Sequence, residues 1–176
     1  MGRKVKKNLP VRDALSPAGN NSTVLGIDTA KNSGYAVRIR GRLIFSGEVN
    51  TLRHDLVTAV VLDALDVAAE SNSRLSVIFE RAYGGPRFTI EGLAMARERW
   101  LVVLRDHRSV ESHTVMPNRW RQDLFGKRKG MRRAGWRALE MASAQAEVAR
   151  ECRLGPDEAA AICISRWGSV WISSGY

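Results

Sequence analysis

The chain has 176 residues, 44% of them hydrophobic, and its 28 Lys and Arg against 18 Asp and Glu give a net charge of +10. That length suits one domain with a sizeable core, and a pI near 10.4 points to a polyanionic partner, nucleic acid before an anionic membrane surface. No run approaches the ~18 apolar residues of a membrane span, and no apolar stretch follows the basic Met1–Lys7 segment as it would in a secretory signal.

Residues 1–22 carry four Lys or Arg in the first seven positions, then Pro10, Pro17 and Gly19, and read as a flexible basic arm. Residues 23–176 form one domain. Val24 to Asp28 is a short apolar run suited to a central strand, followed by a turn over Thr29 to Gly34. Tyr35 to Ile39 and Leu43 to Val49 are strands of a hairpin turning at Arg40-Gly41-Arg42. Apolar residues at helical spacing run from Leu52 to Ala69, and Leu75 to Glu80 returns to strand. Gly84-Gly85-Pro86 is a break, after which a helix spans Thr89 to Asp106 and a short strand Glu111 to Val115. Pro117 opens a helix at a position where its missing N–H costs nothing, and Arg132–Arg150 and Asp157 to about Trp167 are the closing helices. The order predicts an α/β domain: a five-stranded mixed sheet with helices on both faces. Cys152 and Cys163 lack zinc or disulfide spacing, His54, His107 and His113 are scattered, and the pattern fits a reducing cytoplasm.

A carboxylate ending an apolar strand needs a reason, because a buried charge is costly unless it is paired or binds metal. Asp28 and Glu80 both occupy such ends. If their strands are parallel neighbours, both side chains reach the edge where open α/β sheets bind ligands. Asp157 opens a helix, where it could serve as a cap or first-turn acid, or add a third oxygen ligand over the same edge. Carboxylates without His or Cys select hard cations, Mg²⁺ or Mn²⁺, and two such ions suit phosphodiester hydrolysis.

Three blocks carry a resemblance: Leu25-Gly-Ile-Asp-Thr-Ala-Lys-Asn-Ser-Gly-Tyr-Ala-Val, Val77-Ile-Phe-Glu and Pro156-Asp-Glu-Ala-Ala-Ala-Ile-Cys-Ile-Ser. Together they resemble the RuvC Holliday junction resolvases, phage-type members above all, over residues 23 to 168. The resemblance implies an RNase H-like fold, a homodimer, two divalent ions per site, and nicking of four-way and other branched DNA in a bacterial or phage-infected cytoplasm. It casts Asp28, Glu80 and Asp157 as metal ligands and catalytic residues. The family pattern places a second Asp three residues past the first, on the same helix face. Here that position is Ala160. Either the site is impaired and the chain holds junctions without cutting them, or Glu158 stands in for the missing ligand.

Arg119, Arg121, Lys127, Arg128, Lys129, Arg132, Arg133 and Arg137 form the densest positive segment, offset only by Asp123, and read as phosphate contacts. By the resemblance, Lys127 and Lys129 face the scissile phosphate and stabilise transition-state charge. By the same resemblance, Tyr83, three residues past Glu80, is the aromatic candidate for stacking on an unpaired base, with Phe88 as the backup candidate. Trp120 and Trp136 read as helix-packing residues, and the apolar stripe of the Thr89–Asp106 helix suits dimer packing or core burial. An ATP-binding protein of the same fold is disfavoured by the absence of a second equivalent domain and by the charge.

Overall fold

The computed structural model describes residues 22–81, 87–107, 109–148 and 154–174, the side chains of 87 and 88 excepted. Most of the expected arm and Tyr83 lie outside these residues, as does Cys152. Five strands form one sheet: β1 (Ser22–Asp28), β2 (Asn32–Ile39), β3 (Arg42–Asn50), β4 (Arg74–Glu80) and β5 (Glu111–Val115). Their spatial order is β3-β2-β1-β4-β5. The β1–β2 and β2–β3 pairs are antiparallel, and the β1–β4 and β4–β5 pairs are parallel. Strand β2 starts at Asn32, inside the expected turn, because Ser33 folds back to bond both the N–H and the carbonyl of Ala30 and compresses the bend.

Alternation along the strands sorts the two faces. Leu25, Ile27, Val37, Leu75, Val77 and Phe79 pack with α1 (His54–Glu70) and α2 (Arg87–Arg105). The intervening residues Val24, Ala36 and Ile78 face α3 (Pro117–Phe125), α4 (Arg133–Glu147) and α5 (Pro156–Ser173). Helix α1 buries Val57, Val60, Val61, Ala64 and Ala68, the three-and-four spacing of one apolar stripe. Helix α2 buries Ala96, Trp100, Val103 and Leu104 against the sheet but exposes Ile90, Met95 and Val102. Its stripe is thus partly core and partly open surface. Each fully buried Val, Leu, Ile or Phe contributes roughly 1.5–3 kcal/mol, so the helices on each face lock the sheet between them.

Helix α5 lies flush on the sheet because β1 and β2 offer it no side chains at two crossing points. A Cβ on Gly34 would stand 1.9 Å from the Asp157 carbonyl oxygen, and one on Gly26 would stand 2.5 Å from the Ser165 nitrogen. The helix continues to Ser173, beyond the expected end near Trp167, with Trp167 and Trp171 stacked at 5.5 Å between ring centres. Among the described residues, no helix is long and apolar enough to cross a membrane.

Candidate active site

Strand register brings the first two carboxylates together. Ile27 pairs with Phe79 across the parallel β1–β4 ladder, and the next residue on each strand is Asp28 and Glu80. Neighbouring strands run about 4.8 Å apart, so these adjacent strand ends open on one point of the carboxyl edge. The alternation that turns Val24 and Ile78 to the α5 face turns Asp28 and Glu80 the same way. Asp28 pairs with Gly34 on the other side, and Gly34 is the residue against which the Asp157 backbone rests. One glycine therefore seats the third carboxylate beside the first. Asp157 is in the first turn of α5 and caps nothing: the N-cap is Gly155, without a side-chain bond, and Asp157 instead faces Arg137 at 3.7 Å.

A fourth acid enters that the sequence pattern did not single out. Glu140 on α4 is 2% exposed, and its Oε1 accepts from Arg121 Nε at 2.6 Å. Arg121 Nη2 also lies 3.6 Å from Glu80 Oε2, so one guanidinium bridges the two glutamates. Trp120, fully buried, donates its indole N–H to the same Glu80 oxygen at 2.7 Å, and Arg121 lies over its ring. Helical spacing carried the available clue: Glu140 stands four residues before the buried Ala144, on the inward stripe of α4.

Burial, then repulsion from Glu80, Asp157 and Glu140, holds the Asp28 carboxyl well above the usual carboxylate range, with Arg121 opposing. Burial also raises Glu80, against the pull of Arg121, the Trp120 hydrogen bond and Arg133. Asp28 has no hydrogen bond or ion pair to any described residue, and the neighbouring Thr29 Oγ1 is buried without a partner among them. Thr29 and Glu80 line a cleft of about 490 Å³ with Arg81, Ile90, Leu93 and Arg97. Among the described residues no three Asp, Glu, His or Cys side chains are drawn into a ready-made metal cage. Arg121 stands as the balancing cation between Glu80 and Glu140. The donor set is nonetheless all oxygen, and its surplus negative charge is of the kind a hard divalent ion relieves.

The remaining candidates are distributed as follows. Glu158 is buried but turned to β3, accepting from Ser46 Oγ at 2.7 Å; it is not drawn to Asp28 and Glu80. Ala160 is buried at 2% exposure. Arg121, read from sequence as a phosphate contact, is turned inward onto the glutamates because two buried carboxylates outcompete solvent for its guanidinium. Arg119 is exposed and pairs with Asp123 at 3.0 Å. Lys127, Arg128, Lys129, Arg132 and Arg133 are exposed and make no ion pair with a described residue. They lie along the α3–α4 connection and the start of α4, with Arg133 near enough to Glu80 to favour its ionised form. Phe88 falls in α2, its side chain outside the described set. Trp120 and Trp136 both pack near Phe125, as helix-packing residues should. Cys163 is buried, and burial with the nearby Glu140 pushes its thiol up to about 12, which makes it an inert packing residue.

No family model and no curated protein matches the chain. Solved structures do. A Thermus thermophilus RuvC in complex with Holliday junction substrate is 16% identical, with a TM-score of 0.64 over 88% of this chain and 96% of that one. A second T. thermophilus RuvC structure is 18% identical, with a TM-score of 0.62 over 87% and 96%. The five-stranded mixed sheet, the helices on both its faces and these two neighbours together establish that this chain has the RuvC fold, an RNase H-like architecture.

Proposed function

We propose that the chain is a structure-selective endonuclease of the RuvC type, which resolves Holliday junctions and other branched DNA by divalent-metal-dependent phosphodiester hydrolysis. One observation carries the reading. On a RuvC fold, Asp28 and Glu80 stand side by side at the ends of parallel strands, and Asp157 is seated over them by Gly34. Asp28, Glu80 and Asp157 would hold Mg²⁺ or Mn²⁺, two ions per site, which when bound supply charge stabilisation and an activated water. The chain's own residues do the rest. Arg137 holds Asp157, Trp120 fixes one oxygen of Glu80, and the exposed Lys127 and Lys129 on the α3–α4 connection would contact the phosphate strand. A homodimer packed through the exposed apolar residues of α2 would present two such sites to the two strands of a symmetric junction. The basic arm of residues 1–22 would track the duplex arms, and cytoplasmic DNA is the expected target.

The test is a gel shift of a synthetic four-way junction against linear duplex, followed by a nicking assay with and without Mg²⁺. Selective binding with Mg²⁺-dependent nicking is expected. Selective binding without nicking would favour a junction-binding protein, and equal affinity for duplex and junction would defeat both readings. Replacing Lys127, Arg128 and Lys129 by Gln should weaken binding to every DNA form alike. It should also lower the slope of log affinity against log salt by about 2–3, since each phosphate that is no longer neutralised removes about 0.9 from that slope. An unchanged slope would remove this surface from the interface.

A further inference from the structure

We propose that the cleft between Glu80 and α2 is a pocket for one unpaired nucleobase, turned out of the stack at the branch point beside the phosphate that meets the acids. This rests on the nuclease reading given above and names the part of the substrate that this face receives.

Thr29 and Arg81 directly follow the two strand-end acids, and both line this cleft of about 490 Å³. Its volume lies within the ~300–1,000 Å³ of sites that hold small ligands. Ile90, Leu93, Ala94 and Arg97, at three-and-four spacing, turn one stripe of α2 along it, and Met116, just past β5, adds a further apolar side chain. The exposed Met95 and Val102 fall on another side of α2, so a dimer packed through them need not cover the cleft. Glu80 is part of the lining, so a ligand held here sits next to the acids.

Thr29 is 8% exposed, and its Oγ1 is buried without a hydrogen bond among the described residues. Arg97 Nε is in the same condition. Its guanidinium is nonetheless fixed, since Nη2 donates to Thr114 Oγ1 at 2.9 Å and the central carbon stands 5.5 Å from the centre of the Phe79 ring. Among the described residues two other buried side-chain atoms lack a partner, Arg38 Nη2 and Glu147 Oε2, and those belong to one ion pair. The cleft thus gathers two polar atoms with no protein partner between apolar walls. Its ligand needs apolar faces for Ile90, Leu93 and Met116, and edge atoms that hydrogen-bond Thr29 and Arg97. A nucleobase is divided in that way. Water would satisfy the edge atoms and leave the walls wet, and a lone phosphate would face the Glu80 carboxylate with nothing apolar to offer. Bases at a branch point are the least stacked and paired, so turning one out costs least there. Arg81, exposed beside the cleft, is a cation for the backbone of the same nucleotide.

The experiment uses the full 176-residue chain and four-way junctions carrying 2-aminopurine at one position at a time around the branch point, in EDTA so that no strand is cut. One position should brighten on binding, as an unstacked base does. An abasic nucleotide placed there should weaken junction binding about 10–100-fold. Thr29→Val keeps the side-chain shape and loses no protein hydrogen bond. It should weaken binding of the intact junction about 3–10-fold, the worth of one neutral hydrogen bond, and leave binding of the abasic junction unchanged. Equal losses on the two junctions, no loss on either, or no position that brightens overturns the proposal. If Thr29→Val fails to fold, Ala94→Phe decides, since it crowds the cleft from an exposed helical position. Brightening that survives this change places the base elsewhere and ends the proposal. Mg²⁺-dependent nicking without these effects leaves the nuclease reading standing, whereas these effects without nicking support the pocket and defeat the nuclease reading. Equal affinity for duplex and junction overturns both.

Discussion

Arg121→Ala should unfold at a markedly lower urea concentration than the wild type, with a loss of about 3–5 kcal/mol, the largest stability effect expected of any single change at the site. The guanidinium is 19% exposed and serves Glu80 and Glu140, which are 15% and 2% exposed. Truncating it leaves two buried carboxylates facing each other, with the indole N–H of Trp120 as the remaining donor to one of them. Removing both ends of the stronger pair, as in Arg121→Met with Glu140→Gln, should recover much of the loss, because neither unpaired charge then remains at that bond. Single and double variants of equal stability would show that the bridge has no energetic weight. Arg121→Ala should also leave nonspecific duplex affinity nearly unchanged, in contrast to the lysine replacements, since its charge does not face solvent.

Asp28→Asn should move activity and stability in opposite directions. Cleavage of a four-way junction should fall by roughly 10²-fold or more, the least that removal of a charge-stabilising group costs. The metal-free fold, by contrast, should gain stability at neutral pH. The Asp28 carboxyl is raised above its ordinary value of 3.8 by burial first and by Glu80, Asp157 and Glu140 after it. A raised acid costs nothing below that ordinary value. It becomes destabilising as pH climbs through the interval up to its folded value and remains so above it. Thermal melts in EDTA from about pH 4 to 8 should therefore show the wild type losing stability as pH rises. Asp28→Asn should flatten that slope in part, Glu80 supplying the remainder. A variant less stable than the wild type at neutral pH without metal would mean that Asp28 is held by favourable contacts and not strained by its neighbours.

The strand ends were legible because their chemistry is local. A short, mostly apolar run closed by an acid can be read at Val24–Asp28 and again at Leu75–Glu80, and a period of two then fixes which face both acids share. The helix-opening Asp157 could be placed for a similar reason, since Pro156 fixes the start of α5. Glu140 and Arg121 were not legible in that way. Each lies in a helix of ordinary polar composition, and whether a charge on such a helix meets water or another helix depends on how α3, α4 and α5 are docked. That docking is a tertiary matter. The same holds for Glu158: one residue from Asp157 in sequence, it is rotated about 100° around the axis and finds Ser46 on β3 instead of the acids. The basic segment likewise had to be divided. Its composition predicted a cationic surface, while the burial of two glutamates drew one of its arginines inside.

The bare backbone of Gly26 and Gly34 beneath α5 has a mechanical consequence. A helix resting on side chains can tilt as they change rotamer, but one resting directly on two strands has no such suspension. Its first turn inherits the stiffness of the sheet. The aim of Asp157 is thereby calibrated by main-chain geometry, and any give required to admit a branched duplex has to come from elements outside that seat, such as α2 or the α3–α4 connection.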